Sequence, residues 1–290
     1  MRINNKYHLP REEISFVNIE LSKDNLYFLD PYLIYQGEDK LSKECKKIIE
    51  EYMKQLLEAT KTRGEKQADE LTRYLIERNE TRLGYSHHHI KGKSMGKGGG
   101  KDFVQLLVES NQVMDGLIED IFDCAIMIDN VGEDKVSDLL TNLLSIPLIR
   151  YTQEECNMWK IPMKNVILKK KSWDAKKKTW ITLETSLPIY NKMPIILVPK
   201  KFVSKNYVFS YKTFYRDVIV PEYKKRELSN PNSDILIHYK NGRIQVNTKI
   251  LKKRYPCTKY VALDFVKRND ILYREYKKER LKELKKEGEE

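Results

Sequence analysis

Six glycines fall within the 17 positions from Gly84 to Gly100, in the stretch TRLGYSHHHIKGKSMGKGGGK, and neither helix nor strand can be drawn through them. Glycine loses more backbone freedom on ordering than any other residue, so this stretch reads as a mobile loop. Whatever folds in the 290-residue chain must do so on either side of it.

Upstream, SFVNIEL at 15–21 and LYFLDPYLIYQ at 26–36 are β-branched and aromatic and read as strands, with Asp30-Pro31 punctuating the second. From Ser42 to Thr62 the apolar residues Cys45, Ile48, Ile49, Tyr52, Met53, Leu56 and Leu57 recur at intervals of three and four, which predicts an amphipathic helix. Gly64 ends it, and a second helix is expected through Ala68, Leu71, Leu75 and Ile76 to Asn79.

Downstream of the loop a helix is expected from Asp102, CAIMID at 124–129 reads as a short buried strand, and a further helix begins near Ser137, with Pro147 kinking or breaking it. Residues 165–189 read as a hairpin turning near Asp174 to Lys176, and PIILVPK at 194–200 as a buried strand. A helix from Tyr211 to Leu228, interrupted near Pro221, precedes the strand ILIHY and a turn at Asn241-Gly242. The end, from Lys259 to Lys286, reads as one charged helix.

The fold class expected from these elements is mixed α/β (α+β). A helix-rich lobe over 1–160 carries short N-terminal strands and the glycine-rich loop 84–101. A basic lobe over 161–290 holds a small sheet and a long terminal helix, and the two could form one continuous domain.

Charge divides the chain in the same sense. Residues 1–150 carry 21 Lys and Arg against 26 Asp and Glu, whereas residues 151–290 carry 33 against 16. Clustered cations release counterions from a phosphate backbone and so bind it without reading bases, which makes DNA or RNA the expected partner. The four cysteines form no CxxC pair and have no histidine at ligand spacing, which argues against a zinc site or a disulfide framework. No apolar run is long enough for a membrane span and no secretory leader is visible, so a cytoplasmic protein is expected.

Between 102 and 138 ten acids face a single base, Lys135. Carboxylates gathered in this way can hold Mg²⁺ or Mn²⁺ against a phosphodiester, and Asp129, Asp134 and Asp138 are the candidate metal ligands. Asp134 and Asp138 would also act catalytically, with Glu184 and Lys200 as a further carboxylate and ammonium from adjacent strands. The competing reading makes Asp134 and Ser137 helix caps and puts Asp129 in a turn with Asn130.

The triplet Gly92-Lys93-Ser94 matches the end of a phosphate-binding loop, but the pattern needs a glycine where His87 stands and an apolar strand before it. Arg82, Lys91, Lys93, Lys97 and Lys101 nevertheless give the loop cations with no acid among them. His87, His88 and His89 are adjacent and do not project to one point. Further candidate nucleic-acid contacts are Lys170, Lys171, Trp173, Lys176, Lys177 and Lys178 in the hairpin, and Lys252, Lys253 and Arg254 beyond it. Trp173, Trp180, Tyr207 and Tyr255 are candidates for stacking on bases.

The segments ISFVNIELSKDNLYFLDPYLI, NETRLGYS with its basic glycine-rich tail, and VGEDKVSDLLTNLL leading into LIRYTQEECNMWKIP resemble a family of uncharacterised bacterial proteins. The resemblance implies a mobile or phage-defence gene neighbourhood. The resemblance spans roughly residues 14–200 and is most specific from Val131 to Pro162. It implies that the glycine-rich loop and the Asp134/Asp138 segment are family features, and it transfers no catalytic residue. The three histidines depart from the usual loop.

The function expected from sequence is a metal-dependent nuclease or nuclease-like effector of a bacterial defence system, using Mg²⁺ or Mn²⁺. The alternative is a non-catalytic nucleic-acid-binding subunit, needing no cofactor, that recruits or regulates a partner enzyme from the same locus.

Overall fold

The computed structural model describes residues 1–62, 65–76, 78–84, 107, 113 and 115–287, with side chains as far as 282 and none at 65. It is a mixed α/β protein, helix-rich with five two-stranded antiparallel sheets among the described residues. The chain forms two compact units: residues 1–121 with 130–208, and residues 122–129 with 209–290. The division between the units falls at Val208, and the hairpins after residue 160 pack on helices of the N-terminal half. Trp180 Nε1, for example, donates to the Leu71 carbonyl at 2.7 Å.

In the first unit the short helix α1 (Ile3–Tyr7) precedes an extended run over 15–21 that forms no continuous strand. Isolated bridges tie it to the chain, Arg2 to Glu20 and Phe16 to Pro199. Of the second expected strand only β1 (Phe28–Leu29) forms, and Pro31–Gln36 is helix α2. Asp30 caps it by accepting from Tyr32 N at 3.0 Å, and Pro31 occupies the first turn, where a missing N–H costs nothing.

Helix α3 (Lys40–Lys61) matches expectation and buries Cys45, Ile48, Ile49, Tyr52, Met53, Leu56 and Leu57. Helix α4 (Glu65–Thr72) stops short of Asn79, and a 3-10 turn over Asn79–Thr81 follows. The expected strand at 124–129 is instead helix α5 (Ile121–Met127). Helices α6 (Glu133–Leu143) and α7 (Ser145–Met158) meet at Leu144, and Pro147 sits in the first turn of the second, so the proline marks a break between helices.

Strands β2 (Lys164–Ile167) and β5 (Glu184–Leu187) pair antiparallel, and β3 (Ser172–Asp174) pairs with β4 (Thr179–Ile181) between them in sequence. A tight hairpin joins β6 (Ile189–Tyr190) to β7 (Met193–Pro194). Both of its turn residues, Asn191 and Lys192, have positive φ (48° and 64°), the pattern that matches strand twist.

The segment 195–198 is buried as expected but is not a ladder strand. Its amides bond to the Pro188 carbonyl, the Glu80 carbonyl and Thr152 Oγ1, while the Val198 carbonyl accepts from Val17 N. Strand β8 (Val203–Ser204) closes the unit against β1.

In the second unit helix α8 (Tyr211–Phe214) runs through a π-helical stretch, Tyr215–Ile219, into helix α9 (Val220–Leu228). The wider turn falls just before Pro221, which lacks the N–H a regular helix would use. Strands β9 (Leu236–His238) and β10 (Ile244–Val246) form the expected hairpin around Gly242, at φ 80°. Helix α10 (Thr248–Arg254) follows, and the terminal helix is broken at Asn269 into α11 (Lys259–Arg268) and α12 (Asp270–Glu287).

Phe214 packs against Phe265 and Tyr273, with centroids 5.8 and 5.1 Å apart, and Phe122 of α5 meets Phe209 at 5.4 Å. Beside them Asp123 is fully buried, bonded to Tyr273 Oη at 2.6 Å and to Lys277 Nζ at 2.8 and 2.9 Å. Among the described residues no helix is long and apolar enough to cross a membrane.

Candidate nucleic-acid interface

The β3–β4 hairpin is a short lever with an apolar root and a charged tip. Trp173 and Trp180 face each other across it, and Tyr52 of α3 meets the Trp173 ring edge-on at 5.1 Å. Both indoles are buried, at 3% and 6% exposure, so neither Trp173 nor Trp180 is open to a base; they anchor the hairpin instead. At the tip Asp174 Oδ1 accepts from the amides of Lys176 and Lys177, both at 3.0 Å, and Lys178 takes a left-handed conformation at φ 52°.

The turn thus presents Lys176, Lys177 and Lys178 to solvent. Among the described residues the carboxylate paired with this tip is Asp174, 3.9 Å from Lys177. Lys171, half-buried, lies with Nζ 4.7 Å above the Tyr74 ring, and Lys170 is half-buried as well.

The root of the lever is held by a residue that sequence reading passed over. Arg78, 2% exposed, donates from Nε to Asn142 Oδ1 at 3.1 Å and from Nη2 to Ser172 Oγ at 3.3 Å and to the Lys171 carbonyl. It ties β3 to α6. Burial pushes its pKa down, with the charge of Glu80 acting in the opposite sense. No hydrophobic periodicity points to Arg78; its charge disguises it as a surface residue.

Arg82, a candidate phosphate contact in the sequence, is instead buried. It is 1% exposed, with Nη1 donating to Met193 Sδ at 3.9 Å, and desolvation pushes its pKa down against the nearby charges of Asp24 and Glu80. Lys91, Lys93, Lys97 and Lys101, the three histidines and the helix expected from Asp102 lie outside the described residues.

The acidic candidates lie apart in role. Asp129 is exposed in a turn with Asn130, whose φ is 61°. Asp134 is exposed in the first turn of α6, where Gly132 is the N-cap, and Asp138 is half-buried one turn later. Ser137 does not cap the helix; its Oγ accepts from Leu29 N at 3.0 Å. Glu184 is exposed on β5, and the ammonium of Lys200 reaches the Arg11 carbonyl at 3.4 Å, with no hydrogen bond or ion pair joining those two among the described residues. Among the described residues no group of three or more His, Cys, Asp and Glu could hold a metal ion.

Tyr207 is 3% exposed, its hydroxyl shared between the carbonyls of Leu29 at 2.8 Å and Glu133 at 3.0 Å, and so it is closed to bases.

In the second unit Lys252 and Lys253 are exposed on α10, which Asn247 caps through the amides of Lys249 and Ile250 at 3.2 Å each. Arg254 is spoken for: it pairs with Asp234 at 2.9 Å and Glu227 at 3.6 Å. Tyr255 stacks on Tyr223 with centroids 4.0 Å apart.

The chain belongs to the family described as Domain of unknown function (DUF8370), whose model matches residues 8–210. That match ends beside the first unit's boundary at Val208, so most of the second unit lies beyond it. No curated protein and no solved structure matches the chain.

Proposed function

We propose that this protein binds nucleic acid through its phosphate backbone and works as a non-catalytic subunit that brings a partner enzyme to DNA or RNA. The observation that supports it is the β3–β4 tip, where three consecutive lysines stand in solvent on a turn fixed by Asp174 and rooted by two buried tryptophans. Ammonium groups held on a defined turn lose less freedom on meeting a phosphate than the same lysines on a free chain. The surrounding segment 151–208 adds to the attraction, with 12 Lys and Arg against 4 Asp and Glu.

A metal-dependent nuclease needs carboxylates gathered on one point, and the described residues offer no such gathering. In the defence setting that the resemblance implies, the partner enzyme would be encoded at the same locus. Fluorescence anisotropy with short DNA and RNA across ionic strength tests the reading. Affinity should fall steeply with salt, since each neutralised phosphate contributes a slope of about 0.7 to 0.9 in log K against log salt. A flat response, or no binding at low salt, overturns it.

A further inference from the structure

The second unit carries a basic face of its own, and its chemistry is more selective than the lysine tip. From Ile235 to Leu263 the sequence contains seven Lys and Arg and no Asp or Glu. The β9–β10 hairpin lies within this stretch. Its ladder ends with Tyr239 N donating to the Arg243 carbonyl at 2.9 Å, and Asn241 Oδ1 accepts from Arg243 N at 3.1 Å inside the turn.

Tyr239 and Arg243 are therefore cross-strand neighbours. Alternation along the strands puts them on the face that also carries Ile237 and Gln245, opposite the face on which Val246 is buried. The open face is exposed: Ile237 at 37%, Tyr239 at 45%, with Arg243 and Gln245 exposed beside them. The Tyr239 hydroxyl lies 3.2 Å from Gln245 Oε1, which steadies the ring over the strands. Lys240 at the turn, and Lys249 on α10, extend the cationic border without an acidic partner among the described residues.

We infer that this hairpin face is a binding site for single-stranded nucleic acid, in which Tyr239 stacks on an unpaired base while Arg243 and Lys240 take the flanking phosphates. The inference rests on the nucleic-acid reading above and adds to it a site and a substrate class. Lys240, Arg243 and Lys249, set in a stretch with no acid of its own, favour a polyanion. The exposed ring beside a guanidinium selects one whose aromatic faces are free, and the bases of a duplex are hidden in its stack. The indoles and Tyr207 in the first unit are buried, so they cannot supply this stacking.

The test uses the full chain, an oligothymidine of about twenty nucleotides, a duplex of the same length and vesicles of anionic phospholipid. Wild type should prefer the single strand. Tyr239→Ala should lose about tenfold in affinity for oligothymidine and stay within about twofold for the duplex, while Tyr239→Trp restores the preference. A melting curve confirms that each variant is folded, as an exposed position allows. If wild type binds both probes with a steep salt dependence but Tyr239→Ala leaves their ratio unchanged, the stacking site is wrong and the general reading stands. If wild type binds neither oligonucleotide, both are wrong, and binding to the vesicles alone would reassign the basic hairpin to a membrane surface.

Discussion

Trp173 and Trp180 lie directly across from one another in the β3–β4 hairpin, ring centroids 5.2 Å apart, and the chain between them turns through Lys176, Lys177 and Lys178. The apolar pair and the charged tip are two ends of one device. Replacing Trp173 with Ala removes the contact with Tyr52 as well as with Trp180 and leaves a cavity at a buried position. A loss of about 3 to 5 kcal/mol is expected, measured by urea unfolding. A loss below about 1 kcal/mol would show that the hairpin root is not packed as described.

Asp30 gives the first unit a pH dependence. Burial raises its carboxyl to about 6, against hydrogen bonds from Val208 N at 3.2 Å, Ser204 Oγ at 2.9 Å and Tyr32 N at 3.0 Å that favour the charged form. The folded state therefore holds this proton more tightly than the unfolded chain, whose ordinary value is 3.8. Its stabilising contribution is complete below pH 3.8 and is lost as pH rises through about 6. The span corresponds to about 3 kcal/mol. In Asp30→Asn, unfolding between pH 4 and 7 should lack this component relative to wild type. Parallel stability curves for the two proteins would contradict it.

In the second unit Asp123 depends on Lys277 for its charge partner. Lys277→Ala takes the ammonium away from a fully buried carboxylate and should cost about 3 to 5 kcal/mol. Thermal melting reads the loss. Lys277→Ala combined with Asp123→Leu should recover most of it, because the buried charge goes with its partner. Failure of the double variant to recover would show that Asp123 serves a purpose other than this pairing.

Asp134 discriminates between a metal ligand and an ordinary helix residue. It is exposed in the first turn of α6, where a negative charge complements the helix dipole by about 0.3 to 1 kcal/mol. Asp134→Asn should lower stability by no more than that and leave nucleic-acid affinity unchanged with or without Mg²⁺. A divalent-dependent cleavage activity in wild type that vanishes in this variant would restore the nuclease reading.

Much of the fold could be read from period and punctuation. The stripe on α3, the nested hairpins around Asp174 and the turn at Gly242 follow from residues a few positions apart, so local chemistry decides them. Misreadings arose where a cap outweighed composition. Asp30-Pro31 starts a helix although LYFLDPYLIYQ is rich in strand formers, and residues 124–127 of CAIMID belong to a helix that is buried along its length. Burial of charge was the least legible feature. Arg78 and Arg82 look like surface cations in the sequence, and only the tertiary placement of Asn142, Ser172 and Met193 gives them an interior. The same limit explains why Trp173 is a candidate for stacking in the sequence and Tyr239 does not stand out: alternation along a strand says that two faces differ, and the packing of other elements says which one is covered.

The central claim is that the lysine tip meets phosphate, and the most direct measurement is the salt dependence of oligonucleotide affinity in a variant with Lys176, Lys177 and Lys178 all changed to Gln. The hairpin root should keep its stability, since the three side chains are exposed. The slope of log K against log salt should flatten by about 2 to 3 relative to wild type. An unchanged slope and affinity in a folded triple variant would contradict the claim.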